Sequence, residues 1–219
     1  MIPKLIIFDC DGVLIDSEGV ANTVIAQELT ALGWTMDAET SMRLFMGMSL
    51  TDMEPIIEAK IAGKLPPEWR AELAQKLVQA LGTESKLIPG AADLLQEVTV
   101  RGIDWRIASN SSDEEMAVKF ARTGLSALTQ GRAHSAASVI ARGGRAKPAP
   151  DVFLAAAASA DVPPERCIVL EDSALGVTGA VAAGMTCYGF APHGDGAALR
   201  TAGAKQVFTR LDEILGVFA

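Results

Sequence analysis

Aromatic residues are scarce in this chain of 219 residues: one Tyr, three Trp and seven Phe make up 5% of it. Because 49% of the residues are nevertheless hydrophobic, the core has to be built from aliphatic side chains and alanine, which suits helices packed against a sheet. Histidine and cysteine are scarcer still. His134 and His193, with Cys10, Cys167 and Cys187 and no CxxC spacing, do not assemble a zinc site. Scattered thiols fit a reducing compartment better than a disulfide framework. Positive charge is in deficit, with 19 Lys and Arg against 27 Asp and Glu for a net charge of -8, which argues against nucleic acid or an anionic membrane as partner. No apolar run approaches a transmembrane span, and the opening MIPKLIIFDCDG meets charge too soon for a signal sequence. A cytoplasmic, soluble protein is expected. It is expected as a monomer, because no exposed strand or heptad announces a partner.

What is present is an alternation of patterns. Residues 4–8 form a short continuous apolar run closed by Asp9 to Gly12, as in a strand buried on both faces. Further strand-like runs fall at 104–108, 166–170, 186–190 and 206–209, with helical patterns between most of them. That order predicts an α/β fold, a doubly wound parallel sheet with helices on both faces. One stretch breaks the alternation. From residue 18 to about 81 the spacing of Ala21, Ile25, Leu29 and Leu32, of Met53, Ile56, Ile57 and Ile61, and of Trp69, Leu73 and Leu77 is helical throughout. The spacing predicts a helical domain over 16–86, inserted after the first strand into a core of 1–15 and 87–219.

Ligands of such a sheet bind beyond the carboxyl ends of its strands, and here those ends are polar. The first strand ends in Asp9 and Asp11, the run IDWRIA in Ser109 and Asn110, the run CIVL in Glu171 and Asp172, while Lys147 sits in the loop RAKPAPDVF. Each element alone has an ordinary explanation: a polar turn, a helix cap, a solvated lysine, an acidic helix start. Their joint placement is what points to a site. Four carboxylates at two strand ends would repel one another without a cation, and an oxygen-only ligand set suits Mg²⁺. An ionised Asp is also a nucleophile toward phosphorus, able to form an aspartyl phosphate. Asp11 could then serve as general acid and base if its surroundings hold its pKa up. Ser109, the backbone N-H of Asn110 and the Lys147 ammonium would cradle phosphoryl oxygens. Gly176, Gly179 and Gly184 lack nucleotide-loop spacing and read as helix packing or cap positions. Cys10 is expected to face away from the site, and His193 to face solvent.

With FDCDGVLIDSE, ASNSS, KPAPDVF and VLEDSALGVTGAVAAGM in this order, the chain resembles the haloacid dehalogenase superfamily, in its branch with a helical cap after the first strand. The resemblance covers essentially the whole chain. It implies a Rossmann-like core; Asp9 as nucleophile and metal ligand; Asp11 as acid and base whose backbone carbonyl also binds Mg²⁺; Ser109 and Lys147 as phosphate binders, with Asn110 contributing its backbone; and Asp172 and Glu171 as metal ligands. Asp11 argues for phosphoryl transfer over dehalogenation, and the absence of lysine between Glu18 and Gly33 disfavours the phosphonatase-like route. Relatives of β-phosphoglucomutase carry a cap histidine and a cap arginine where this chain has Ala21 and Leu50, which weakens a mutase reading. The implied activity is that of a Mg²⁺-dependent phosphatase for a small phosphorylated metabolite, a sugar or sugar-acid phosphate. A phosphomutase and a non-catalytic phosphosugar-binding module are the alternatives. Arg43, Met46, Met48, Ser49 and Thr51 are the expected cap specificity surface.

Overall fold

The computed structural model describes residues 3–218. Strands β1 (Leu5–Phe8), β4 (Asp104–Ser109), β5 (Ala133–Ser135), β6 (Cys167–Glu171), β7 (Thr186–Phe190) and β8 (Val207–Phe208) form a parallel sheet in the order β5-β4-β1-β6-β7-β8. β2 (Ile15–Asp16) and β3 (Lys86–Leu87) form a separate antiparallel pair.

The continuous apolar character of β1 follows from its central place. Ile6 and Phe8 point to one face, among side chains of the helices α5 (Ala91–Val100) and α6 (Asp113–Thr123). Leu5 and Ile7 point to the other, among those of α9 (Asp151–Ser159) and α10 (Ala174–Ala182). All four are fully buried, each worth roughly 1.5–3 kcal/mol of transfer free energy. A strand anchored on both faces fixes whatever its carboxyl end carries. The chain runs from β1 to β4 and β5 on one side and later to β6, β7 and β8 on the other. The order therefore reverses at β1, and the crevice of the fold opens at that strand's carboxyl end.

Between β2 and β3 lie four helices, α1 (Glu18–Ala31), α2 (Ala38–Phe45), α3 (Leu50–Ile61) and α4 (Trp69–Glu84). They share a hydrophobic cluster of Ile25 and Leu29, Phe45, Met53 and Ile57, and Trp69, Leu73, Leu77 and Leu81. Asp37 caps α2 by accepting the Thr40 N-H at 2.8 Å, and Ser49 caps α3 by accepting that of Asp52. Three short helices complete the core, α7 (Ser126–Thr129), α8 (Ala136–Ile140) and α11 (Ala197–Ala202).

One expected strand changes and one strand was not expected. The run at 206–209 is shorter than expected, only Val207–Phe208 pairing with β7. The edge strand β5, with the sequence AHS, has no apolar alternation to announce it, and its pairing with β4 defines it instead.

Candidate active site

Asp9 follows β1 directly, its N-H bonded to the Leu170 carbonyl at 2.9 Å, so the parallel pairing with β6 carries it into the crevice. Lys147 is 3% exposed and its ammonium donates to Asp9 Oδ1, to Glu171 Oε1 at 2.6 Å and to the Ala108 carbonyl at 2.9 Å. Glu171, at the end of β6, also accepts from the Ser173 N-H and hydroxyl at 3.0 Å each. Asp9, Glu171 and Asp172 present carboxylate oxygens within 4.8 Å of one another.

Two glycines make room for this crowding. A Cβ on Gly12, whose φ is +74°, would lie 1.8 Å from Asp172 Oδ2, and one on Gly176 would lie 1.8 Å from Glu171 Oε1. Gly176 thus serves the site as well as its helix. Gly179 meets the Ala149 carbonyl and the Phe153 ring, and Gly184 has a φ of +76° just past α10, as packing and cap positions require.

The electrostatics disfavour three ionised carboxylates side by side. Burial, reinforced by Glu171 and Asp11 against the pull of Lys147, pushes Asp9 up to about 8. Burial also raises Asp172 well above the carboxylate range, with Asp9, Glu171 and Glu18 adding to it. Burial would lower Lys147, but Asp9 and Glu171 outweigh it and hold the ammonium charged. One lysine does not neutralise three converging carboxylates, and the all-oxygen donors in this space fit a hard divalent ion such as Mg²⁺.

Asp11 has different neighbours. Its Oδ1 accepts from Lys119 Nζ at 2.6 Å and from the Ser17 hydroxyl; its Oδ2 accepts from Ser111 Oγ at 2.8 Å and Ser109 Oγ at 3.2 Å. Lys119 is fully buried and also reaches Ser111 Oγ at 2.7 Å. Burial alone would raise Asp11, but the Lys119 charge and the bonds from Lys119, Ser17 and Ser111 bring it down to about 2. The expectation that its surroundings hold its pKa up is therefore not met: a buried ammonium from α6 stands against it. Lys119 shares the apolar face of that helix with Met116 and Phe120, three residues before and one after it. A lysine on a face that otherwise packs into the core was the signal available in the sequence.

Asp9, Asp11, Ser109, Asn110, Lys147 and Asp172 line one cavity of about 330 Å³. Glu171 lies just beneath it, fully buried. Asn110 does more than offer its backbone, since its side chain donates to the Gly47 carbonyl at 2.7 Å and accepts the Lys147 N-H at 2.9 Å, linking the helical insert to the lysine loop. Met46, Met48, Ser49 and Thr51 line the cavity, as do Ala21 and Leu50. Arg43 does not: it lies on the exposed face of α2 and is no part of the cavity wall. Ser17, Glu18, Ser111 and Lys119 are wall residues to which sequence reasoning gave no role. Burial, with Asp11, Asp16 and Glu171, pushes Glu18 up to about 7. Cys10 is fully buried in the core, and His193 is exposed on its loop.

A doubly wound sheet with carboxylates at its switch point, a buried lysine bridging two of them and a helical insert after its first strand define the class as an α/β protein with its site at the strand ends. The profile of the haloacid dehalogenase-like hydrolases matches residues 3–184, and the chain belongs to that family. Hexitol phosphatase A of Escherichia coli (strain K12) is 30% identical over 193 residues, spanning 83% of this chain and 80% of that protein. A conserved haloacid dehalogenase-like protein of unknown function from Agrobacterium tumefaciens is 33% identical with a TM-score of 0.79, covering 98% of this chain and 96% of that one. A HAD family hydrolase from Deinococcus radiodurans, solved with bound phosphate and sodium, is 31% identical with a TM-score of 0.74, covering 96% and 93%. Among the described residues no helix is long and apolar enough to cross a membrane.

Proposed function

We propose that the protein is a Mg²⁺-dependent phosphomonoesterase that hydrolyses a small phosphorylated metabolite, a sugar or sugar-acid phosphate, through an aspartyl phosphate on Asp9. The observation that carries this reading is the convergence of Asp9, Glu171 and the Lys147 ammonium in one hydrogen-bonded cluster, with Asp172 beside it and Asp11 across the cavity. The bound phosphate in the Deinococcus relative and the activity named for the Escherichia coli relative support it. Residues 16–86 act in this reading as a cap over a core of 1–15 and 87–219, excluding bulk water during the reaction.

Asp9 Oδ attacks phosphorus in line while the bond to the substrate alcohol breaks and Asp11 delivers a proton to the departing oxygen. Asp11 then takes a proton from water, which attacks the acyl phosphate and releases inorganic phosphate and the Asp9 carboxylate. Asp11 as described here is ionised, the form that serves the second step. For the first it has to exchange its Lys119 and Ser17 contacts for a proton and the substrate oxygen. Lys147 and Ser109, with the Asn110 N-H, hold the phosphoryl oxygens. A divalent ion held by Asp9, Asp172, Glu171 and the Asp11 carbonyl supplies positive charge to those oxygens when bound.

The test is release of inorganic phosphate from a panel of sugar, polyol and sugar-acid phosphates, with Mg²⁺ or with EDTA, for the wild type and Asp9→Asn. Metal-dependent turnover lost in the variant is expected. Turnover that survives Asp9→Asn, or no release from any ester in the panel, would overturn the reading.

A further inference from the structure

The short loop between α2 and α3 brings the insert down onto the core. The Met48 N-H bonds to the Phe45 carbonyl at 3.0 Å, closing a turn. Met46, with φ -51° and ψ 124°, and Gly47, with φ +74°, have the backbone of a type II turn, whose third residue needs a positive φ. The turn packs closely on the acidic loop of the core: a Cβ on Gly47 would lie 3.3 Å from Ser173 Cβ and Oγ. Its Gly47 carbonyl meets the side-chain amide of Asn110. That amide accepts the Lys147 N-H at 2.9 Å on Oδ1 and donates from Nδ2 to the Lys147 carbonyl at 3.3 Å and to the Gly47 carbonyl at 2.7 Å. The backbone partners leave no choice about which end of the amide is oxygen. Aspartate would set oxygen against both carbonyls, and alanine would reach none of the three groups. One amide therefore holds the backbone of Lys147, whose ammonium lies on Asp9 and Glu171, and also holds the insert.

We propose that the Asn110 side chain is a positioning residue that couples closure of the insert to an anion held by Lys147. This rests on the phosphomonoesterase reading and adds to it. An oxyanion gripped by the Lys147 ammonium and the Asn110 N-H fixes the two loops that the amide spans, so the Nδ2 hydrogen stays aimed at Gly47. Closure in return holds the amide, and through it the backbone of Lys147. The coupling has the same size in both directions. A second hydrogen bond between core and insert runs from Arg122 Nε to the Thr83 carbonyl at 2.8 Å, between exposed residues. It can hold the insert but does not touch Lys147 or Asn110.

Hydrogen exchange over residues 44–50 reads closure, with Mg²⁺ and inorganic phosphate as ligand at concentrations that calorimetry shows to saturate each protein. In the wild type, phosphate should slow exchange of this turn at least about fivefold. In Asn110→Ala, which keeps the backbone N-H, phosphate should bind more weakly and, when saturating, slow the turn by less than about twofold. Arg122→Ala should keep the wild-type response even where its exchange without phosphate is faster. A purely structural role for Asn110 would speed exchange with and without phosphate alike. An unchanged ratio in Asn110→Ala, or no slowing in the wild type, overturns the proposal. Should Asn110→Ala not fold, the isosteric Asn110→Asp, which keeps the acceptor for Lys147 and lacks the hydrogen for Gly47, takes its place and should lose the response in the same way. The ester panel separates this proposal from the one beneath it. Slowing that Asn110→Ala abolishes, in a protein that releases phosphate from no ester, would sink the phosphatase reading and leave the coupling standing. Turnover by the wild type with a phosphate response untouched in Asn110→Ala would do the reverse.

Discussion

Lys119 Nζ lies 2.6 Å from Asp11 Oδ1, the lysine side chain completely buried and the aspartate 28% exposed. The pair joins α6, which packs against α4 of the insert, to the loop that follows β1. Breaking a fully buried pair costs roughly 3–5 kcal/mol. Asp11 keeps water on one side and three hydroxyl donors, so Lys119→Met should cost less, about 1–3 kcal/mol. Urea unfolding at pH 7 measures it. Lys119→Arg should recover part of the loss by keeping the charge, limited by the bulk of the guanidinium in a closed space.

Without metal, stability should fall as pH rises. The folded-state pKa of Asp9, about 8, stands above its ordinary 3.8, so the folded chain holds a proton that the unfolded chain releases. The associated stability is complete below pH 3.8 and is lost as pH climbs toward 8. Glu18, raised to about 7, acts in the same direction. Asp11, lowered to about 2, acts oppositely but only below about pH 4. In EDTA, unfolding free energy should therefore drop by on the order of 1–3 kcal/mol between pH 5 and 8.5, and Mg²⁺ should flatten the profile. A metal-free profile that rises over this range would contradict the account.

Asp9→Asn should separate chemistry from stability. Phosphate release should fall at least about 10³-fold, because an amide cannot serve as the nucleophile. In EDTA at pH 8.5 the variant should nevertheless melt higher than the wild type, because the amide keeps an acceptor for Lys147 and removes a charge facing Glu171 and Asp11. Scanning calorimetry of the two proteins side by side decides this.

Gly12→Ala should weaken metal binding. The new methyl would occupy the position of the Asp172 carboxylate, and a φ of +74° adds about 1–2 kcal/mol of backbone strain. A Mg²⁺ titration of activity should shift at least about tenfold to higher concentration. Gly102→Ala shares the positive φ but has nothing within 4 Å of its Cβ, and should lose stability without moving the titration.

The parts of this fold legible in the sequence are those where burial acts on a whole segment. Leu5 to Phe8 are apolar without interruption because both faces of β1 are covered, and the polar residues that end β1, β4 and β6 stand out against such runs. Residues whose environment depends on distant segments were not legible. Lys119 stands out only as a lysine on the apolar face of α6, and its partner is identified only when that helix is laid against the Asp11 loop. Arg43 stands among the expected cap contacts, yet the turn of α2 carries it outward. β5 owes its existence to β4, and Ala133 to Ser135 carry little strand preference of their own.

The insert leaves and rejoins the core at one point, Ile15 paired with Leu87 and Asp16 with Lys86. Residues so paired sit only about 5 Å apart, so a segment of any length can be exchanged there without stretching the sheet. The reacting groups at the strand ends would stay where they are while the wall that meets the alcohol is replaced. In the reading proposed above, selectivity would in that sense be a separable part, free to diverge at a pace of its own wherever the contacts of Ser17 with Asp11 and of Gly47 with Asn110 are kept.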